Sequence, residues 1–137
     1  MSMTTGFYLK LYLAAVVVFF AIDMVWLGVV ARGLYRKYLG YLLSPSPNWT
    51  AAIIFYLLFV AGLLIFAVVP GLQAGSFNKA LLLGALFGFM TYATYDLTNL
   101  ATIKDWPLFI TIVDMIWGVV LASAVTSLTF LIGRWMS

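Results

Sequence analysis

Residues 50–69 read TAAIIFYLLFVAGLLIFAVV, an unbroken run without a charged side chain, followed at once by Pro70 and Gly71. A hydrocarbon core of about 30 Å is crossed by about 20 apolar residues rising 1.5 Å each, so this stretch reads as a transmembrane helix. Proline lacks an amide donor and glycine favours helix ends, so Pro70-Gly71 reads as its terminator. Three more stretches of the same kind flank it. The first runs over about 11–31, between Lys10 and Arg32; the third follows the cap candidate Ser76 and covers about 77–101. The fourth opens at Asp105-Trp106-Pro107, where Asp can cap and Pro suits a first turn, and covers about 107–132 before Gly133-Arg134. The expected fold is all-α, a four-transmembrane-helix bundle in a single membrane-embedded domain over 1–137.

Composition points the same way. Of 137 residues, 66% are hydrophobic, 18% aromatic and 8% charged, against about 25% charged in a soluble domain. That is too few charges to coat a surface in water. With no His and no Cys, disulfides, thiolate chemistry, imidazole ligation of zinc or haem, and every Ser/His or Cys/His catalytic arrangement are excluded. The net charge of +3 is spread thinly, with no basic face or stripe, so nucleic acid is not a partner on this reading. The basic residues flank apolar helices, where they meet anionic headgroups, and membrane lipids are the expected surroundings. The first apolar run exceeds a signal-peptide core and lacks a small-residue cleavage pattern, so it reads as a retained helix.

The longest connection, 32–49, has its own pattern. Arg32, Arg36 and Lys37 alternate with Leu34, Tyr35, Tyr38, Leu39, Tyr41, Leu42 and Leu43 until Ser44-Pro45-Ser46-Pro47 breaks the run. This suits a short amphipathic helix in the headgroup plane between the first and second spans, or a snorkelling extension of the first. Let side B be the face holding the first and third loops, and side A the face holding both termini. Side B carries Arg32, Arg36, Lys37 and Lys104; side A carries Lys10, Lys79 and Arg134. The clustering favours a cytoplasmic side B, while the near balance leaves dual topology open. Trp49, Trp106 and Trp135 read as boundary anchors, and the Asn48-Trp49-Thr50 sequon, at a membrane boundary, as incidental.

All four acids are Asp, and three of them, Asp23, Asp96 and Asp114, fall inside spans. An intramembrane charge costs several kcal/mol, so such acids face the bundle interior and are functional by default. Asp23 precedes Arg32 by nine residues, Asp114 follows Asp105 by nine and Asp96 precedes Lys104 by eight. At 1.5 Å per residue all three lie roughly 12–14 Å from the side B boundary, in one layer. Around Asp96, the residues Tyr92, Tyr95, Asn99 and Thr102 follow three-and-four spacing and form a polar stripe. One to two turns earlier, Gly84 and Gly88 make a small-xxx-small pair where another helix can approach closely. The first and fourth spans echo each other: Asp23-Met24-Val25-Trp26 and Asp114-Met115-Ile116-Trp117 each place Trp one turn from Asp, with Gly and paired valines beyond. These segments run antiparallel, which a tandem two-helix duplication would not produce. The expected site is therefore Asp23, Asp96, Asp114, Asn99, Tyr92, Tyr95, Trp26 and Trp117. Polar residues taken singly, such as Asn99, Thr98 and Thr102, also serve as interhelical glue worth about 1 kcal/mol per contact. Three acids in one layer go beyond glue, because they suit holding a proton or being neutralised by a cation.

The run Tyr92-Ala93-Thr94-Tyr95-Asp96-Leu97-Thr98-Asn99-Leu100-Ala101-Thr102, then Trp106-Pro107 and Val113-Asp114-Met115-Ile116-Trp117-Gly118, resembles the bacterial domain-of-unknown-function 2177 membrane proteins. So do Asp23 through Gly28, Ala31-Arg32 with Leu34-Tyr35-Arg36, and Pro47-Asn48-Trp49. The resemblance covers nearly the whole chain. It implies a small multi-pass protein of the bacterial inner (cytoplasmic) membrane, supports the choice of site positions, and assigns no activity.

Three functions compete on the sequence. The acids could bind or transport a proton, a cation or a small polar ligand, with a homodimer supplying the volume that four helices lack. They could serve a membrane-embedded lipid-modifying enzyme, through acid–base work or an oxygen-ligated divalent ion, although no DDxxD-like cluster is present. Or they could assemble a non-catalytic lipid-binding or accessory subunit. No cofactor motif is evident; a divalent or monovalent cation at the Asp cluster is the one candidate.

Overall fold

The computed structural model describes residues 3–137 and is built from helices alone among them. In chain order these are α1 (Thr5–Val25), α2 (Arg32–Leu39), α3 (Trp49–Leu63), α4 (Val69–Ala74), α5 (Phe77–Thr102) and α6 (Leu108–Met136). π-helical turns extend α1 over Trp26–Val30 and join α3 to α4 over Leu64–Val68. The result is four membrane-length helices, Thr5–Val30, Trp49–Ala74, Phe77–Thr102 and Leu108–Met136, forming the four-helix bundle with α2 as the expected extra helix. The third has the lowest mean hydropathy, 1.3 against 2.2 to 3.0 for the others, because it carries the Tyr, Thr, Asp and Asn run.

Several boundaries differ from the sequence reading, each for a physical reason. Pro70-Gly71 does not end the second span, which continues to Ala74. The π turn before Pro70 changes the pairing to i→i−5, with the Val69 amide donating to the Leu64 carbonyl, so the missing proline donor is absorbed without a break. Gly75 is the true stop: it takes the left-handed conformation (φ 63°), and the Ser76 amide donates back to the Gly71 carbonyl at 2.9 Å. At the other ends, α1 starts at Thr5, whose neighbour Thr4 caps it by accepting from the Phe7 amide, so Lys10 lies within the helix. The sixth helix runs past Gly133 to Met136. Asp105 does not cap that helix. It sits in a turn at φ 60°, its carbonyl accepting from the Tyr41 hydroxyl at 2.6 Å. Asn48 has a role beyond its sequon, its side chain capping α3 by accepting from the Ala51 amide at 3.1 Å. Ser76 caps α5 as expected, accepting from the Lys79 amide.

Each long helix buries one narrow stripe and turns the rest of its apolar surface outward, as a lipid-solvated bundle does. Along α1 the stripe is Phe7, Leu11, Ala15, Phe19 and then Asp23; along α5 it is Ala80, Gly84, Gly88 and then Asp96. On α6 the stripe runs through Ile110, Asp114, Gly118, Ala122 and Thr126, with Asp114 near its side B end. All three acids therefore stand toward the side B end of a buried ridge. The closest pairing is α5 on α6. A Cβ on Gly88 would strike the Gly118 carbonyl and the Ala122 methyl, and one on Gly84 would strike Thr126. The side A half fills with Phe7, Leu11, Leu72, Phe130 and their neighbours. The side B half is packed differently, and the cavity lies there.

Candidate functional site

Between Trp49 and Leu58, only Ala52 and Tyr56 of α3 are turned away from the surroundings. Tyr56 holds this half-helix to α1, its ring centre 5.3 Å from that of Phe19 and 5.7 Å from that of Phe20. The Tyr12 hydroxyl adds a bond to the Leu57 carbonyl at 2.9 Å. On its other flank the first half of α3 stands off α5, whereas the later π turn at Leu64–Val68 packs tightly on α5. The two helices meet at Phe59, whose ring lies 5.5 Å from Phe87 and 6.1 Å from Tyr92. They diverge from there toward side B. The wedge holds a cavity of about 470 Å³, within the ~300–1,000 Å³ range of small-molecule sites.

Its back wall is made by the two echoing segments. Asp23 and Trp26 come from the end of α1, Asp114 and Trp117 from α6. The indoles of Trp26 and Trp117 stack with centres 4.2 Å apart and planes within 7°. Each Trp then serves the acid of the opposite segment. The Trp117 indole N–H lies beside the Asp23 carboxylate. The Trp26 indole donates to the Tyr35 hydroxyl at 3.3 Å, and that hydroxyl donates to Asp114 Oδ1 at 2.6 Å. The sequence echo therefore becomes a crossed pair, two Asp-x-x-Trp turns interlocked about a stacked indole core.

Tyr35 arrives from α2. That helix is amphipathic as its sequence suggests, with Arg32, Arg36 and Lys37 exposed and Leu34, Tyr35, Tyr38 and Leu39 turned inward. Leu39 packs on Trp106 and Ile110 at the start of α6, which fixes α2 over the side B mouth. Burial, followed by the adjacent Asp114 carboxylate, pushes the Tyr35 phenol above its ordinary range, so it stays a donor to that carboxylate. Thr91, Tyr92 and Tyr95 of α5 and Ala52, Phe55 and Tyr56 of α3 complete the walls, with Leu27 at the rim.

The structure separates the expected site residues into two groups. Asp23, Trp26, Tyr92, Tyr95, Asp114 and Trp117 line the cavity; Asp96 and Asn99 do not. Asp96 is fully buried behind the wall, at 0% exposure, its carboxyl beside that of Asp114 and both its oxygens without a hydrogen-bond partner. Two carboxylates are acceptors only, so they bond to each other only when one carries a proton. Asn99 stands beside Tyr95 on the edge of α5. The one-layer expectation is thereby refined: Asp114 sits between Asp23, which shares its cavity, and Asp96 behind it. Among the described residues no three acids converge as a metal-binding group. The polar lining residues absent from the expected set are Tyr35, Tyr56 and Thr91, and the apolar ones are Leu27, Ala52 and Phe55. Trp106 also differs from its reading as an anchor, being buried against Leu39 and Ile110 and donating to the Thr111 hydroxyl at 3.1 Å.

No curated protein and no solved structure matches the chain. A family model does: residues 8–131 match the one described as a predicted membrane protein (DUF2177). That stretch holds all four spans nearly whole together with both Asp-x-x-Trp turns, Tyr35 and the α5 polar run, and the chain belongs to the DUF2177 family of membrane proteins.

Proposed function

We propose that the cavity binds a small cation-bearing ligand within a bacterial cytoplasmic membrane. The observation that carries this reading is a charge imbalance: two carboxylates, Asp23 and Asp114, line an aromatic-walled cavity whose lining contains no Lys or Arg. Their partners on the protein, a phenol and an indole, are neutral donors. Neutral donors orient a carboxylate without cancelling its charge, and in a low-dielectric setting an uncompensated charge is costly. A cation entering the cavity supplies the missing charge, and the aromatic lining can add cation–π attraction of about 0.5–2 kcal/mol for each ring that meets it face-on. The same composition favours an organic or singly charged ion over Mg²⁺, which needs about six oxygen ligands in tight octahedral array. Translocation, beyond binding, would take a second copy of the chain, because one protomer builds one such site on the side B half.

Calorimetric titration of the purified protein in nonionic detergent tests the reading. Ethylammonium should bind saturably, and n-propanol, of similar size but uncharged, should not. Binding should fall at least about tenfold, or 1.4 kcal/mol, in Asp23→Asn and in Asp114→Asn. Absence of saturable ethylammonium binding, or binding undiminished in both variants, would overturn it.

A further inference from the structure

We infer that the ligand is the primary ammonium headgroup of a membrane amphiphile, admitted sideways between α3 and α5. This rests on the cation reading above and adds the ligand's chemical class and its route.

The route follows from the wedge. Both helices that form it are membrane spans, so the gap between them opens onto the bilayer. Its two edges are exposed aromatic residues, Phe55 on α3 and Tyr95, 58% exposed, on α5. A water-borne ion has no use for such a mouth. An amphiphile does, because its acyl chains stay against Phe55 and the outward apolar face of α3 while the headgroup turns in. From the side B aqueous face, the cavity is overlain by α2 and its Tyr35.

The headgroup chemistry follows from what the wall offers. Tyr35 occupies one oxygen of Asp114, and a carboxylate accepts about four hydrogen bonds. Acceptor capacity is therefore left on two carboxylates facing one space. A primary ammonium carries three N–H donors and can bridge both; a quaternary ammonium carries none. Asp96, fully buried behind the wall and against Asp114, brings no positive charge to the pair. A headgroup phosphate would then lie outward of the ammonium. Tyr56 and Tyr92 on the wall carry O–H groups of the kind a phosphate oxygen accepts, and the exposed Arg32, Arg36 and Lys37 of α2 place positive charge on the headgroup side. An anionic headgroup without an amine would instead meet two uncompensated carboxylates.

Native mass spectrometry of the full chain decides it, after incubation with equimolar phosphatidylethanolamine and phosphatidylglycerol of identical acyl chains. The ethanolamine lipid should be retained at least about tenfold over the glycerol lipid, a difference of 1.4 kcal/mol. The preference should vanish in the Asp23→Asn/Asp114→Asn double variant and survive in Asp105→Asn, whose carboxyl is outside the cavity. Should the double variant fail to fold, excess ethylammonium added to the unaltered protein should displace the retained ethanolamine lipid and n-propanol should not, and retention undisturbed by ethylammonium would overturn the assignment. Equal retention of the two lipids, or a preference that persists without the two acids, would overturn the lipid assignment. In that event the ethylammonium titration still stands or falls separately: soluble ammonium that binds without lipid preference leaves a cation site of aqueous supply, and failure of both removes the cation reading.

Discussion

Replacing Tyr35 with Phe removes one oxygen atom from the centre of the crossed Asp-Trp arrangement and leaves the ring in place. The lost bond is the 2.6 Å O–H donation to Asp114 Oδ1, and the acceptor is a carboxylate only 8% exposed. A hydrogen bond to a charged group is worth about 1.5–3 kcal/mol in water-soluble proteins, while interhelical bonds in membranes average about 0.6 and reach about 1.7 kcal/mol. The ring keeps its edge-on packing against Trp26, centres 6.5 Å apart, so no cavity penalty is added. The charged acceptor puts this bond near the upper membrane value, and a loss of about 1.5 kcal/mol is expected. Equilibrium unfolding in mixed micelles, by titration with a denaturing detergent, measures it. Tyr41→Phe is the control, because its bond to the Asp105 carbonyl is exposed and neutral and should cost less than about 1 kcal/mol. A double-mutant cycle with Asp114→Asn should return most of the Tyr35 effect as coupling. A loss below about 0.5 kcal/mol, or additive single effects, would refute the claim that α2 is tied to the site through this bond.

Three further outcomes are expected. Gly88→Ala should destabilise the bundle by about 1–3 kcal/mol, since its methyl meets the Gly118 carbonyl on α6; Gly33→Ala on α2, with open space around it, should be neutral or stabilising by up to about 1 kcal/mol. Asp96→Asn gives the unpartnered Asp96 position an N–H donor facing Asp114 and should leave stability equal or raise it by about 0.5–1.5 kcal/mol in the same unfolding assay; a loss beyond 1 kcal/mol would contradict that geometry (about the worth of one bond). Alkaline pH should weaken the fold through Tyr35. Its folded-state pKa lies above the ordinary 10.0, so above about pH 10 the unfolded chain has released a proton that the folded chain retains, and stability falls as pH rises. The fall should be shallower in Tyr35→Phe, and identical slopes would contradict it.

The spans were legible because uninterrupted apolar length is a one-dimensional property. Their ends were less so: Pro70 looks like a stop until a π turn supplies a register that tolerates it, and Asp105 looks like a cap until its positive φ takes it out of line. The depth of Asp23, Asp96 and Asp114 could be counted from the boundaries, since rise per residue is constant. Which acids share a space could not, because that depends on rotation about each helix and on which helices adjoin. Asp96 lies against Asp114 from behind the cavity wall. Tyr35 reaches Asp114 across 79 positions of chain, and no local pattern encodes such a contact. A signal did exist: Tyr35 lies on the inward face of an amphipathic helix, and Tyr56 is the lone polar side chain between Ala51 and Val69. The Asp-x-x-Trp echo was visible too, while its crossed bonding required the antiparallel α1–α6 packing.

The central claim, that Asp23 and Asp114 jointly hold a cation, is open to one direct measurement, because the chain has four acidic side chains and all are Asp. Protein labelled with ¹³C at the aspartate carboxyls, reconstituted in bilayers and loaded with ¹⁵N-ethylammonium, can be read by solid-state nitrogen–carbon dipolar dephasing. Two carboxyl signals, assigned by Asp→Asn substitution to Asp23 and Asp114, should dephase as for separations of about 4 Å, the reach of an ion pair, while Asp96 and Asp105 stay unaffected. Dephasing at neither Asp23 nor Asp114, or at Asp105 instead, would contradict it.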